Sequence, residues 1–247
     1  MKTTGNTILI TGGSAGIGFE MALMFLKLGN KVIITGRDKV RMQLALESLR
    51  GATGIISDVS DESQVRQLVT RLEAEFPDLN MIINNAGRVF VYKLGIAAGA
   101  ADYAHKEMLT NYISVVGITE QLLPLLSRQP SAAIVNVSSV VAFVPGHTVA
   151  TYSASKAALH SYTQSLRHSL RDTGVKVFEV MPPLVNTSLS QEIGGANGIP
   201  PAMVAAELAD ALTADRYEVR IGQTEQIYQL SLKSPADAFK TMNTSSR

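Results

Sequence analysis

None of the 247 residues is a cysteine. Disulfides, thiolate chemistry and cysteine zinc sites are thereby excluded, and the composition suits a reducing compartment. Charge is scarce as well: Asp, Glu, Lys and Arg make up 17%, and the formal net charge is +1. A chain this close to neutral has no field to attract nucleic acid or an anionic membrane, so neither is expected as a partner. Long apolar runs are missing, and no stretch reaches the roughly 18 residues of a membrane helix. Met1 to Asn6 is polar, and the first apolar run, Ile8 to Ile10, stops at a glycine turn. No secretory leader is expected, and the reading is a cytoplasmic protein. His105, His147, His160 and His168 show no ligand spacing with nearby carboxylates, so no metal site is expected.

What the chain does have is apolar residues, 46% of the total, enough for a large core. Apolar, β-branched runs recur at 7–11, 31–35, 54–57, 80–84, 132–137, 175–181 and 219–221. They lack polar alternation, as strands covered on both faces do. Helical patterns fall between them at 16–28, 39–50, 61–76, 102–126, 153–172 and 202–213. Seven strands with helical crossovers predict an α/β fold: a Rossmann-like, doubly wound parallel sheet with helices on both faces. No linker or repeat divides residues 1–247, which predicts one domain. The stretch 183–201 has prolines at its ends and three glycines, and is expected to be a mobile substrate loop. Residues 244–247 are expected to fray.

Two stretches carry chemistry. Thr11-Gly12-Gly13-Ser14-Ala15-Gly16-Ile17-Gly18 follows the first apolar run and opens a helix. Glycines there permit a tight turn, and free N–H groups at the helix start face a pyrophosphate. The spacing is G-x-x-x-G-x-G. The second strand ends in Gly36-Arg37, with no carboxylate at its end. Arg37 suits a ribose 2′-phosphate, with Ser14 as a further hydroxyl, so NADP is expected over NAD; Asp38 is the competing partner for Arg37. Asp58, before Val59, is a candidate acceptor for an adenine amino group or a cap for the next helix. Asn84-Asn85-Ala86-Gly87 ends the fourth strand: Ala86 and Gly87 leave room for a ribose, and Asn85 can tie strand ends together.

Downstream, Tyr152 and Lys156 are i, i+4 on a predicted helix and share a face. A free phenol has a pKa near 10, and a neighbouring cation stabilises its anion. Tyr152 can then exchange a proton with a carbonyl or alcohol oxygen as a hydride moves. Ser139, just past the fifth strand, can hydrogen-bond the same oxygen. His147, Arg88 and Phe90 are more speculative substrate contacts.

In this order the motifs resemble those of the single-domain short-chain dehydrogenases/reductases, over Thr7 to about Gly222. The resemblance implies a hydride transfer between a nicotinamide cofactor and a carbonyl or secondary alcohol. It implies that Asn111 holds a water linking Lys156 to solvent, and that Lys156 also binds the nicotinamide ribose. Pro182, Val185 and Thr187 match the segment that fixes the carboxamide, although Pro183 stands where the family usually has glycine. Within the family there is a further likeness to the DltE-like oxidoreductases, carried by the glycine turn, by Phe76-Pro77-Asp78-Leu79-Asn80 and by Ser234-Pro235-Ala236-Asp237-Ala238-Phe239. The rivals are an NAD-dependent enzyme of the same fold and a non-catalytic protein that senses the dinucleotide.

Helix 102–126 carries Met108, Leu109, Tyr112, Ile113, Val115, Val116, Ile118, Leu122 and Leu123, more than one stripe. Helix 153–172 opens with small residues, Ala154, Ala157, Ala158 and Ser161. Apolar surface beyond the sheet-facing stripe needs a partner. Related folds pair these helices between subunits, so a homodimer or homotetramer is expected.

Overall fold

The computed structural model describes residues 1–244; the expected fraying of 245–247 lies outside them. Seven parallel strands form one sheet: β1 (Thr7–Ile10), β2 (Lys31–Gly36), β3 (Thr53–Ile56), β4 (Leu79–Asn84), β5 (Ala132–Val137), β6 (Val175–Met181) and β7 (Glu218–Arg220). Their order is β3-β2-β1-β4-β5-β6-β7. The chain first winds outward from β1 and then restarts at β4, so the switch point lies between those two strands.

Strand periodicity sorts the core into two layers. Ile8 and Ile10 of β1 point to one face and pack with Met21 and Phe25 of α1 (Gly16–Lys27), Met42 of α2 (Lys39–Ser48) and Leu208 of α7 (Pro201–Ala214). Leu9 points to the other, with Leu68 and Leu72 of α3 (Glu62–Glu75) and Ile118 and Leu122 of α5 (Ser114–Ser127). The expected doubly wound architecture is therefore observed.

Three local differences matter. The predicted helix 102–126 is α4 (Ala100–Met108), a π-turn over Leu109–Ile113, and α5. The π-turn sits at Asn111, whose side chain is pulled towards the end of β4. The predicted helix 153–172 is α6 (Ala150–Ser169); it begins early enough to include Tyr152 because the Ser153 hydroxyl holds the entry, accepting from Gly146 N–H and donating to the Val149 carbonyl. Finally, α8 (Gln223–Lys233) and α9 (Pro235–Asn243) were not predicted; each buries a single residue.

The segment 183–201 carries two short 3-10 helices, Ser188–Ile193 and Gly195–Asn197, and a bridge between Val185 and Ile199. Thr187 and Ser190 form a reciprocal capping box. The segment thus has its own hydrogen-bonded frame.

Candidate active site

A cleft of about 710 Å³ opens at the carboxyl ends of the strands. Every catalytic and cofactor-binding residue expected from the sequence lines it except Gly18 and Asn111. Gly18 is buried in the first turn of α1, and Asn111 acts from behind the wall.

The glycine turn is stitched to the switch point by side chains. The Thr11 hydroxyl accepts the backbone N–H groups of Asn85 (3.0 Å) and Ala86 (3.1 Å). Asn85 Nδ2 returns hydrogen bonds to the carbonyls of Thr11 (2.9 Å) and Gly12 (3.2 Å), the tying role anticipated for it. Gly12 has φ +66°, and a Cβ there would lie 2.9 Å from Ala86 Cα. Gly16, φ +56°, sits under Thr187. Among the described residues, no side chain caps the start of α1, and its first turn carries no acid. Open N–H groups without a repelling carboxylate fit the pyrophosphate of a dinucleotide.

At the far end of the cleft, Arg37 lies 3.6 Å from Asp58. Asp38, weighed above as a partner for Arg37, caps α2 by accepting Arg41 N–H (3.0 Å). Asp58 does not cap α3; Asp61 does. Asp58 instead accepts the N–H (2.9 Å) and hydroxyl (2.6 Å) of Ser60. Burial raises its carboxyl, but the hydrogen bonds from Ser60 and the Arg37 guanidinium outweigh this and hold it below the usual carboxylate range. Arg41 also lines the cleft. Sequence reasoning missed it, although it stands one helical turn after Arg37.

At the near end, Lys156 Nζ is 5.7 Å from the centre of the Tyr152 ring and donates to the Val137 carbonyl at 2.8 Å. Ser139 faces the phenol and begins a 3-10 turn, accepting Val141 N–H. Burial pushes the Tyr152 phenol up to about 12; Ser139 opposes this and the Glu107 carboxylate adds to it. Burial pushes Lys156 down to about 8, with Glu179 pulling the other way. Asn111 Oδ1 accepts Arg88 N–H (2.8 Å), while Nδ2 donates to the Arg88 carbonyl and the Ser155 hydroxyl (both 2.9 Å). Its side chain is committed, which leaves the backbone carbonyl for any proton relay.

Two buried carboxylates escaped the sequence reading. Glu107 accepts Phe90 N–H at 2.7 Å and so holds the chain after β4. Glu179, fully buried on β6, accepts the Ser138 hydroxyl (2.5 Å) and pairs with His160 Nδ1 (2.9 Å). His160 is therefore not an ordinary helix histidine: this bond to Glu179 raises it against the desolvation that would lower it. Only burial, invisible in a sequence, distinguishes these acids from surface ones. His147 does not line the cleft and contacts Asn243 instead; of the two residues after β4, neither Arg88 nor Phe90 lines it, whereas Val89 does.

The Lys156 shift has a measurable consequence. Between about pH 8 and 10.5 the folded protein has lost a proton that the unfolded chain keeps, so stability rises with pH in that window. From pH 10 upward Tyr152 acts in the opposite sense, because the folded protein keeps its proton until about 12. Urea unfolding of the wild type and Lys156→Met from pH 7.5 to 10 should show the variant's relative advantage shrink by on the order of 2 kcal/mol. A constant difference would mean that Lys156 titrates normally.

A phenol and an ammonium on the wall of a glycine-lined cleft suit a nicotinamide-dependent oxidoreductase, and this protein is of that class. The family model for short chain dehydrogenases matches residues 6–198, so the chain belongs to the short-chain dehydrogenase family. It is 38% identical over 251 aligned positions, covering 99% of both chains, to the uncharacterized oxidoreductase DltE of Bacillus subtilis. It is 36% identical to the serine 3-dehydrogenase of Agrobacterium fabrum, over 77% of this chain and 76% of that one. A short chain dehydrogenase from Burkholderia cenocepacia, solved in complex with NADP, superposes with a TM-score of 0.88 at 25% identity, covering 99% of this chain and all of the other. A Burkholderia phymatum relative solved with NAD shares the fold (TM-score 0.87, 21% identity, 100% and 98% covered). Among the described residues, no helix is long and apolar enough to cross a membrane.

Proposed function

We propose that the protein interconverts a carbonyl compound and a secondary alcohol with NADP(H), in the cytoplasm. The observation that carries this reading is the convergence of Tyr152, Lys156 and Ser139 on one wall of the glycine-lined cleft. A dinucleotide bound there would supply or accept the hydride. Tyr152 gives its proton to the carbonyl oxygen in reduction and takes one from the hydroxyl in oxidation. Ser139 holds that oxygen by a hydrogen bond. The Lys156 ammonium favours the phenolate and holds the nicotinamide ribose, and Asn111 passes protons towards solvent through its carbonyl and a water. Pro182, Val185 and Thr187 border the nicotinamide end, and the segment 183–201 moves to admit substrate. A dinucleotide sensor has no need of a buried acid beside the nicotinamide end, which counts against that rival.

NADP is favoured over NAD because two guanidiniums, Arg37 and Arg41, and the Ser14 hydroxyl line the cleft around Gly36. Each charge-assisted contact to a phosphate contributes about 1.5–3 kcal/mol. Arg37→Ala with Arg41→Ala should weaken NADPH binding by roughly 100-fold or more, with NADH binding changed by less than about threefold. Fluorescence titration of both cofactors checks this, and equal losses for the two would favour NAD.

Outward-facing residues at the π-turn that leads into α5 and on α6 are open in the single chain: Ile113, Ala154 and Ala157 are exposed. They support a homodimer or homotetramer built on these helices.

A further inference from the structure

The charged residues of the cleft are unevenly placed. Arg37, Asp38, Arg41 and Asp58 gather beyond the ends of β2 and β3. Ser139 follows β5, three strand spacings away from β2, roughly 14 Å at ~4.8 Å per strand. Away from those charges the lining includes Val89, Val141, Val149, Leu184, Leu189 and Met242, interspersed with uncharged hydroxyls such as Ser138 and Thr148. Lys156 is the one charged side chain there among the described residues, and its ammonium is engaged by the Val137 carbonyl.

Met242 comes from the far end of the chain. Asn243 fixes α9 against the segment before Tyr152: its Oδ1 accepts His147 N–H (2.6 Å) and lies 2.9 Å from His147 Nδ1, and its Nδ2 donates to the Pro145 carbonyl (2.9 Å). Tilted packing of Phe143 against Tyr228, with ring centres 4.7 Å apart, docks α8 beside it. The last helix is thereby held as a wall of the reacting end.

We propose that the substrate is an uncharged ketone or secondary alcohol bearing an apolar chain, and that Met242, held in place by Asn243, reads the length of that chain. The inference rests on the carbonyl–alcohol reading above and narrows it. An ammonium beside the reacting carbon would be stripped of water with no opposite charge to meet it, and a carboxylate would find only Lys156, whose ammonium already donates to the Val137 carbonyl. Serine, named in the serine 3-dehydrogenase relative, is therefore disfavoured here. The reaction is a plain two-electron exchange: the hydride goes to the carbonyl carbon from NADPH, the proton to its oxygen from Tyr152, and the reverse steps regenerate the ketone.

The test is a rate comparison with NADPH on methyl ketones of increasing chain length and on oxo acids of matched size. Serine and 3-hydroxy acids are run with NADP in the oxidative direction. The expected result is a kcat/KM that climbs with chain length to an optimum, and is at least 100-fold lower for each charged analogue. Met242→Ala should move the optimum to a longer chain, and Asn243→Ala should flatten it, both with unchanged NADPH affinity. Charged compounds turned over as well as neutral ones, in a manner that needs Tyr152, would overturn this inference alone. An unmoved optimum in Met242→Ala would remove that residue's role. Absence of turnover for every compound, by protein that binds NADPH, would overturn the carbonyl–alcohol reading together with it.

Discussion

Replacing Tyr152 with phenylalanine should lower kcat by about 10³-fold while dinucleotide affinity changes by less than about threefold. General acid–base catalysis contributes typically 10²–10⁴-fold, and the other titratable donor on that wall, Lys156, is engaged by the Val137 carbonyl. The substitution removes one oxygen and keeps the ring that packs near Lys156, so the wall remains intact. Because burial pushes the phenol up to about 12, the isolated protein holds Tyr152 as an acid at neutral pH, the form that reduction requires. In oxidation the phenolate is required, and the rate should increase with pH in the wild type and lose that dependence in the variant. Steady-state rates followed by nicotinamide absorbance, paired with fluorescence titration of the cofactor, separate chemistry from binding. Retention of more than a tenth of the wild-type rate would assign the proton to another group.

Gly12→Val should abolish measurable dinucleotide binding and destabilise the fold by about 2–4 kcal/mol. Two independent penalties combine. The backbone has φ +66°, a region a β-branched residue avoids. The first added carbon would also sit 2.9 Å from the backbone of Ala86, so either the turn or the end of β4 must move. Both bound the crevice where the pyrophosphate is expected, so one displacement loses affinity and packing together. By contrast Gly5, also at positive φ (+71°), has open space around it, and Gly5→Ala should leave binding unchanged. Thermal melts and cofactor titration on the two variants distinguish loss of the crevice from a general effect of backbone strain.

The sheet was legible because its strands are mostly apolar and β-branched, and because short-range punctuation such as Gly29 lies where a helix must stop. The order of the motifs then located the Ser, Tyr and Lys. What escaped the sequence depends on pairings distant along the chain. Glu107 and Glu179 read as ordinary helix and strand acids until Phe90, Ser138 and His160 are brought to them. The two last helices escaped for a different reason: they bury little of themselves and are held by side-chain contacts such as Asn243 with Pro145. Arg41 was within reach of the sequence, one turn after Arg37 on a helix whose start was correctly placed.

The hydroxyl of Thr11, shared between two amides just past the end of β4, gives the crevice a further property. Its two lips are fastened to each other before anything enters. The nucleotide half then behaves as a rigid socket, for which little disorder must be surrendered on docking. Discrimination among visiting molecules is left to the opposite half, where the walls belong to loops and to the end of the chain. The protein thereby separates a coenzyme receptacle fastened in advance from the walls that would meet the second reactant.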